Sequence, residues 1–296
     1  MKEPIIVTAF WDVGRGADCL IPRSNQKYYS EFSEWARIKN NMLVFADKQT
    51  AEVVKEIRDN YGLLDVTKIV VIEDVFQVEP ELAEQMNNIQ SKKHSFYYYL
   101  EAMSQNAKFD YAWLMKYWCI KEATKYYDKD ALFAWMDFGF NHHDVCFSNM
   151  KEFSFLWKTN IEEDKIHLFS LRDVENVEIT DALQLQFDSF MGVFHIIPYR
   201  YAEEFWKLIK DACRALILME CIDDDQMLLL MAYKSRPELF SIHISDWFLP
   251  LKECGATHLT THSKSAGTKR LLSKIALLRQ NISFAVRSYR RAKKYY

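Results

Sequence analysis

Three short apolar runs, PIIVTAF at 4–10, MLVFA at 42–46 and KIVVI at 68–72, are separated by segments with helical spacing. Tyr28, Phe32, Trp35 and Ile38 recur at helical intervals in the first gap, and Lys48 to Tyr61 reads as a helix in the second. Parallel neighbours in a sheet need long crossovers, so strands that alternate with helices predict a mostly parallel sheet covered on both faces. The pattern continues. Pro80 to Asp128 reads as helical with a break near Lys108, and ALFAWM at 131–136 as a buried strand. KIHLFS at 165–170 and FMGVFHII at 190–197 read as two more strands, Tyr201 to Cys221 as a helix, and LFSIHI at 239–244 as a last strand. The fold class expected is α/β, a mixed and mostly parallel sheet flanked by helices.

Charge divides the chain. All 41 acidic residues precede Cys254, whereas ten Lys and Arg follow Gly255. A body over 1–254 and a basic tail over 255–296 are therefore expected to have different partners. Leu271, Ile275, Leu278, Ile282, Ala285 and Tyr289 form an apolar stripe in that tail. A basic amphipathic helix of this kind suits an anionic membrane surface, the acidic body itself, or nucleic acid. With only 7 Gly and 6 Pro, a turn-rich all-β propeller is disfavoured. The six cysteines, Cys19, Cys119, Cys146, Cys213, Cys221 and Cys254, include no C-x-x-C pair, so free thiols in a reducing compartment are expected. No window reaches the ~18–20 apolar residues of a membrane span, and a cytoplasmic protein is expected.

Candidate chemistry gathers at strand ends. Asp137 follows the buried run ALFAWM, the place where open α/β sheets hold ligands, although spacing alone favours an Asp that caps a turn. WDVGRGAD follows the first strand; its G-x-G is incomplete as a dinucleotide fingerprint, and Arg15 offers a fork of donors to phosphate or carboxylate. Lys116 lies among aromatics on a helix, where snorkelling to solvent is the ordinary outcome and an anionic ligand the alternative. Gly192 inside a strand marks a bulge or a close backbone approach. Asp223, Asp224 and Asp225 precede an apolar helical run and read first as a helix cap. Asp137-Phe138-Gly139 spells a kinase DFG, but the glycine-rich loop, V-A-I-K strand and H-R-D loop of kinases are all missing.

TAFWDVGRG at 8–16 and FAWMDFGF at 133–140 resemble the two signature segments of the HtrL/YibB family, bacterial proteins associated with surface-polysaccharide gene clusters. DDQ at 224–226 and PELFSIHISDW at 237–247 resemble its later segments. The resemblance implies a GT-A-like fold and a nucleotide-sugar glycosyltransferase acting on a lipid-linked surface glycan, peripheral on the inner membrane, with no nucleic-acid partner. By the same resemblance Asp137 would hold Mn²⁺ or Mg²⁺ against the diphosphate of a donor, a UDP-sugar foremost. A second ligand would come from His243, from Asp246 or from the His143–Asp144 pair, since Gly139 stands where many GT-A enzymes carry a second Asp. Thr8, Ala9, Phe10, Asp12, Arg15, Lys116 and Gly192 would receive the donor, and Asp224 or Asp225 would serve as general base.

Overall fold

The apolar runs become seven strands of one sheet: β1 Ile5–Phe10, β2 Met42–Ala46, β3 Thr67–Val71, β4 Leu132–Met136, β5 Ile166–Ser170, β6 Phe190–Pro198 and β7 Phe240–Ile244. Their order is β3-β2-β1-β4-β6-β5-β7. β6 runs antiparallel to both of its neighbours, and every other pairing is parallel. The expected mixed, mostly parallel sheet is present. This computed structural model describes residues 1–14, 23–90, 106–185 and 188–262, together with 285, 286, 289, 290 and 293. Arg15 and most of the basic tail lie outside the described residues.

Eight α-helices accompany the strands among the described residues: α1 Asn25–Trp35, α2 Lys48–Asn60, α3 Pro80–Gln90, α4 Ala107–Ala123, α5 Ile179–Leu185, α6 Ala202–Leu218, α7 Asp225–Ser235 and α8 Pro250–Glu253. Strand alternation assigns side chains to two cores. Ile5, Val7, Leu43, Phe45, Phe133 and Trp135 pack with α3, α4, α6 and α7, whereas Ile6, Met42, Val44, Leu132, Ala134 and Met136 pack with α1, α2 and α8. Polar side chains start the helices where their backbone N–H groups lack partners. Ser24 caps α1, Asp47 caps α2, Asn106 caps α4, and Asp224 caps α7 by accepting from Gln226 N at 3.0 Å.

The body continues past the expected boundary at residue 254. Ala256 and Leu259 are fully buried in the α1/α2 core, and Thr261 bridges Phe147. Gly255 makes this return possible: its φ is +122°, and a Cβ there would lie 2.1 Å from the Lys158 carbonyl oxygen. Cys119, Cys146, Cys213, Cys221 and Cys254 are free thiols. Among the described residues, no helix is long and apolar enough to cross a membrane.

Candidate functional site

Because β6 is antiparallel, its first residues lie beside the carboxyl end of β4: Met136 pairs with Phe194, and Asp137 N donates to Val193 O at 3.0 Å. The carboxyl ends of β1 and β4, the start of β6 and the start of α7 thus meet at one edge of the sheet. They enclose a pocket of about 530 Å³. Aromatic side chains form much of its wall, among them Trp11, Tyr28, Phe109, Trp113 and Trp247. Flat or ring-shaped ligands suit such walls.

Asp137 has the same parity as Phe133 and Trp135, so its side chain emerges on the α4 face of the sheet. There Trp135 Nε1 donates to Asp137 Oδ1 at 2.7 Å. Lys116, on the middle of α4, reaches the same carboxylate at 2.9 Å from Oδ1 and 3.2 Å from Oδ2. Its ammonium also donates to Asp225 Oδ2 at 2.7 Å and to the Gly192 carbonyl at 3.0 Å. An ammonium has three donors, and all three are used. Lys116 and Asp225 are almost fully buried, whereas Asp137 is about one quarter exposed to the pocket.

Gly192 is required by this arrangement. A Cβ at that position would lie 2.1 Å from Asp225 Oδ2, inside any tolerable contact. The glycine is the close backbone approach expected of it. Gly139 is constrained from the other side: a Cβ would meet Glu31 Oε2 at 2.9 Å and the Tyr28 ring at 3.1 Å. A second acid of an Asp-x-Asp pair would press on the Glu31 carboxylate and the Tyr28 ring of α1.

The charges are perturbed by their surroundings. Burial alone would lower the Lys116 ammonium, but the charges of Asp137 and Asp225 outweigh it and hold its pKa above the ordinary lysine value. Burial and the neighbouring Asp225 push Asp224 up to about 7. Asp225 is raised by burial and by Asp137, against the pull of Lys116. Behind this wall lies a second layer of buried polar groups. The Asp110 carboxyl is fully buried with no hydrogen-bond partner, and burial, then Asp223, Asp224 and Asp225, drive it well up. His195 is fully buried, and burial and Lys116 push it well below the usual histidine range, so it is neutral.

Ala9, Phe10, Asp12, Lys116, Asp137, Gly192, Asp224 and Asp225 all line the pocket. Asp12 organises the strand-to-helix passage, accepting from Gly14 N and Asn25 Nδ2 at 2.9 Å each. Two expected residues lie elsewhere. Thr8 is fully buried inside β1, two residues short of the strand end where Phe10 lines the pocket. His243 does not join Asp137: β7 is three strands from β4, a lateral gap of about 14 Å. Its Nε2 lies 2.9 Å from His167 Nδ1, and its ring stacks on Phe169. Asp246 accepts from Trp247 N at 3.0 Å in the turn beyond β7. Asp144 lies against Glu34 of α1, and burial and then the Asp144 charge raise Glu34 to about 7.

Sequence reasoning missed Arg23, Asn25, Phe109 and Trp113, which also line the pocket, as does Gln226 of the DDQ segment. Phe109, Trp113 and Lys116 are spaced i, i+4, i+7, so one face of α4 was available as a signal. Arg23 lies over the Tyr28 ring and 3.7 Å from Glu31, and carries no local motif.

A resident Mn²⁺ or Mg²⁺ would need hard oxygen ligands that converge on an open position. Asp137, Asp225 and the Gly192 carbonyl converge, but on the Lys116 ammonium. Among the described residues no three His, Cys, Asp or Glu side chains are otherwise grouped to hold a metal. The residues present do not fit a divalent ion held by Asp137.

Residues 2–253 match the family described as "Bacterial protein of unknown function (HtrL_YibB)". The chain is 27% identical over 271 residues to Protein HtrL of Escherichia coli (strain K12), covering 82% of this chain and 89% of that protein. Among solved structures it is similar to the apo form of mouse xyloside xylosyltransferase 1. The TM-score is 0.41 at 13% identity, over 81% of this chain and 84% of that one.

Proposed function

The chain belongs to the HtrL_YibB family, and we propose that it is a glycosyltransferase that moves a sugar from a nucleotide-sugar donor, a UDP-sugar foremost, to a lipid-linked surface glycan such as lipopolysaccharide, lipooligosaccharide or capsule. One observation carries this reading: Asp137 at the end of β4, Asp224 and Asp225 at the start of α7, and Lys116 of α4 converge on a single aromatic-walled pocket at the strand ends.

In a direct displacement the acceptor hydroxyl oxygen attacks the anomeric carbon of the donor. The bond from that carbon to the diphosphate oxygen breaks, and the nucleoside diphosphate leaves with the electron pair. Asp224 is the base for the hydroxyl proton. It is only partly buried at the pocket wall, and with a pKa near 7 it is a strong enough base while remaining available at neutral pH. Asp225 and Asp137, fixed by Lys116, form the floor that orients the sugar hydroxyls. Phe10, Tyr28 and Arg23 flank the β1 side, where a base can stack and a phosphate can find a guanidinium.

The expected result is stabilisation of the purified protein by UDP or a UDP-sugar in a thermal-shift screen that includes GDP- and CMP-sugars, followed by release of free nucleotide when acceptor glycan is added. No response to any nucleotide would sink the proposal. A second reading, a binder of nucleotide sugar or glycan without turnover, is favoured by the ion pairs that Lys116 makes with both Asp137 and Asp225. Stabilisation without nucleotide release would select it.

For the tail we propose contact with an anionic membrane at the cytoplasmic face of the inner membrane, on the basis of ten basic and no acidic residues after Gly255. Truncation after His262, which spares the buried Ala256 and Leu259, should abolish sedimentation with phosphatidylglycerol vesicles. Unchanged sedimentation would refute it.

A further inference from the structure

Two carboxylates and a backbone carbonyl around one point are the ligand set of a hard divalent cation. Here Lys116 Nζ occupies that point, 2.9 Å from Asp137 Oδ1, 2.7 Å from Asp225 Oδ2 and 3.0 Å from Gly192 O. The three oxygens come from β4, α7 and β6, and the ammonium from α4, so four elements are locked around one positive charge. The packing is specific to this cation. Gly192 lacks a side chain where Asp225 must pass, and Trp135 fixes the second bond of Asp137.

We infer that Lys116 is the resident cation of this site: its ammonium takes the place of a divalent metal between Asp137 and Asp225, and its removal converts the oxygen trio into a metal-binding site. The inference concerns the charge inside the pocket and stands apart from the identity of the substrate. A protein that proved to bind no nucleotide would leave it intact.

The test uses MnCl₂ alone with the full-length protein after dialysis against EDTA, followed by electron paramagnetic resonance or calorimetry. The wild type should show no saturable Mn²⁺ site with a Kd below about 1 mM. Lys116→Met and Lys116→Gln, checked for folding by circular dichroism, should each gain one Mn²⁺ site at least tenfold tighter than any in the wild type. Adding Asp137→Asn to either variant should remove it. Sub-millimolar Mn²⁺ binding by the wild type that is lost in Asp137→Asn would overturn the inference, as would folded Lys116 variants that gain no site. If neither variant folds, the wild-type titration decides alone: saturable binding overturns the inference and its absence supports it.

Discussion

Among the described residues Arg58 and Lys116 are buried cations, and they are neutralised in different ways. Arg58, on α2, is fully buried, and its fork donates to the carbonyls of Ala36 and Ile38 at 2.7 and 2.8 Å, to Asn40 O at 3.4 Å and to Thr67 Oγ1 at 2.7 Å. Its hydrogen-bond partners are carbonyl dipoles and a hydroxyl, one of them the Ala36 carbonyl at the carboxyl end of α1, where a positive charge is favoured. Burial lowers its pKa to about 10, with Asp65 opposing, and it remains charged. Lys116 is neutralised by two full negative charges, and its pKa moves the other way. Dipoles can hold a cation that only ties chain segments together. Carboxylates fixed around a cation at a pocket wall are still acids, available to a ligand, and that separates a joint in the fold from a component of a site.

The comparison can be broken by deletion. Arg58→Ala leaves three buried carbonyls and a hydroxyl without their donor and opens a cavity, and should cost about 4 kcal/mol in denaturant unfolding. The protein that remains folded should keep its ligand affinity. Lys116→Met leaves two like charges facing each other. One of them has access to the pocket, so the loss should be nearer ~3 kcal/mol at neutral pH and smaller at pH 5, where the carboxylates can take protons. Ligand affinity should fall with it. Equal effects on affinity from the two variants would abolish the distinction.

Gly192→Ala sharpens the same contrast at lower cost. The new methyl group displaces a flexible carboxylate rather than backbone, so destabilisation of about 2 kcal/mol is expected. Asp225 should then lose its 2.7 Å bond to Lys116, and nucleotide-sugar affinity should fall at least tenfold. An alanine variant with unchanged affinity would show that Asp225 is not needed where it stands.

Much of this fold was legible because the central strands are buried on both faces and therefore read as unbroken apolar runs; MLVFA at 42–46 became β2 residue for residue. Asp137 was legible for the same reason, as the first acid after such a run. Two kinds of information were absent. Depth along the strands was not visible, and it left Thr8 inside the sheet while Phe10 at the end of β1 and Asp137 at the end of β4 reach the pocket. Strand order was not visible either. The last strand in sequence is at the sheet edge beside β5 rather than beside β4, so His243 could not reach Asp137. Lys116 was recognised as a candidate, but its partners lie 21, 76 and 109 residues further along the chain. No local pattern encodes a contact of that range.

The smallest effect tests the acid beside the pair that Lys116 holds. Asp224 is pushed from an ordinary 3.8 up to about 7 by burial and by Asp225. A carboxyl with a raised pKa in the fold keeps its proton after the unfolded chain has lost its own. Between about pH 4 and 7 the native state therefore binds more protons than the unfolded state, and stability must fall as pH rises. Above pH 7 both states are ionised and the slope from this group vanishes. Catalysis by Asp224 has the opposite sign, since only the deprotonated form accepts the acceptor's proton, so turnover should rise through pH 7 as stability declines. Asp224→Asn retains a side chain able to cap α7. It should flatten the fall in melting temperature between pH 5 and 7 and remove the rise in turnover. A variant that kept the wild-type rise would transfer the role of base from Asp224 to Asp225, and with it the view that the carboxylates held by Lys116 only orient the substrate.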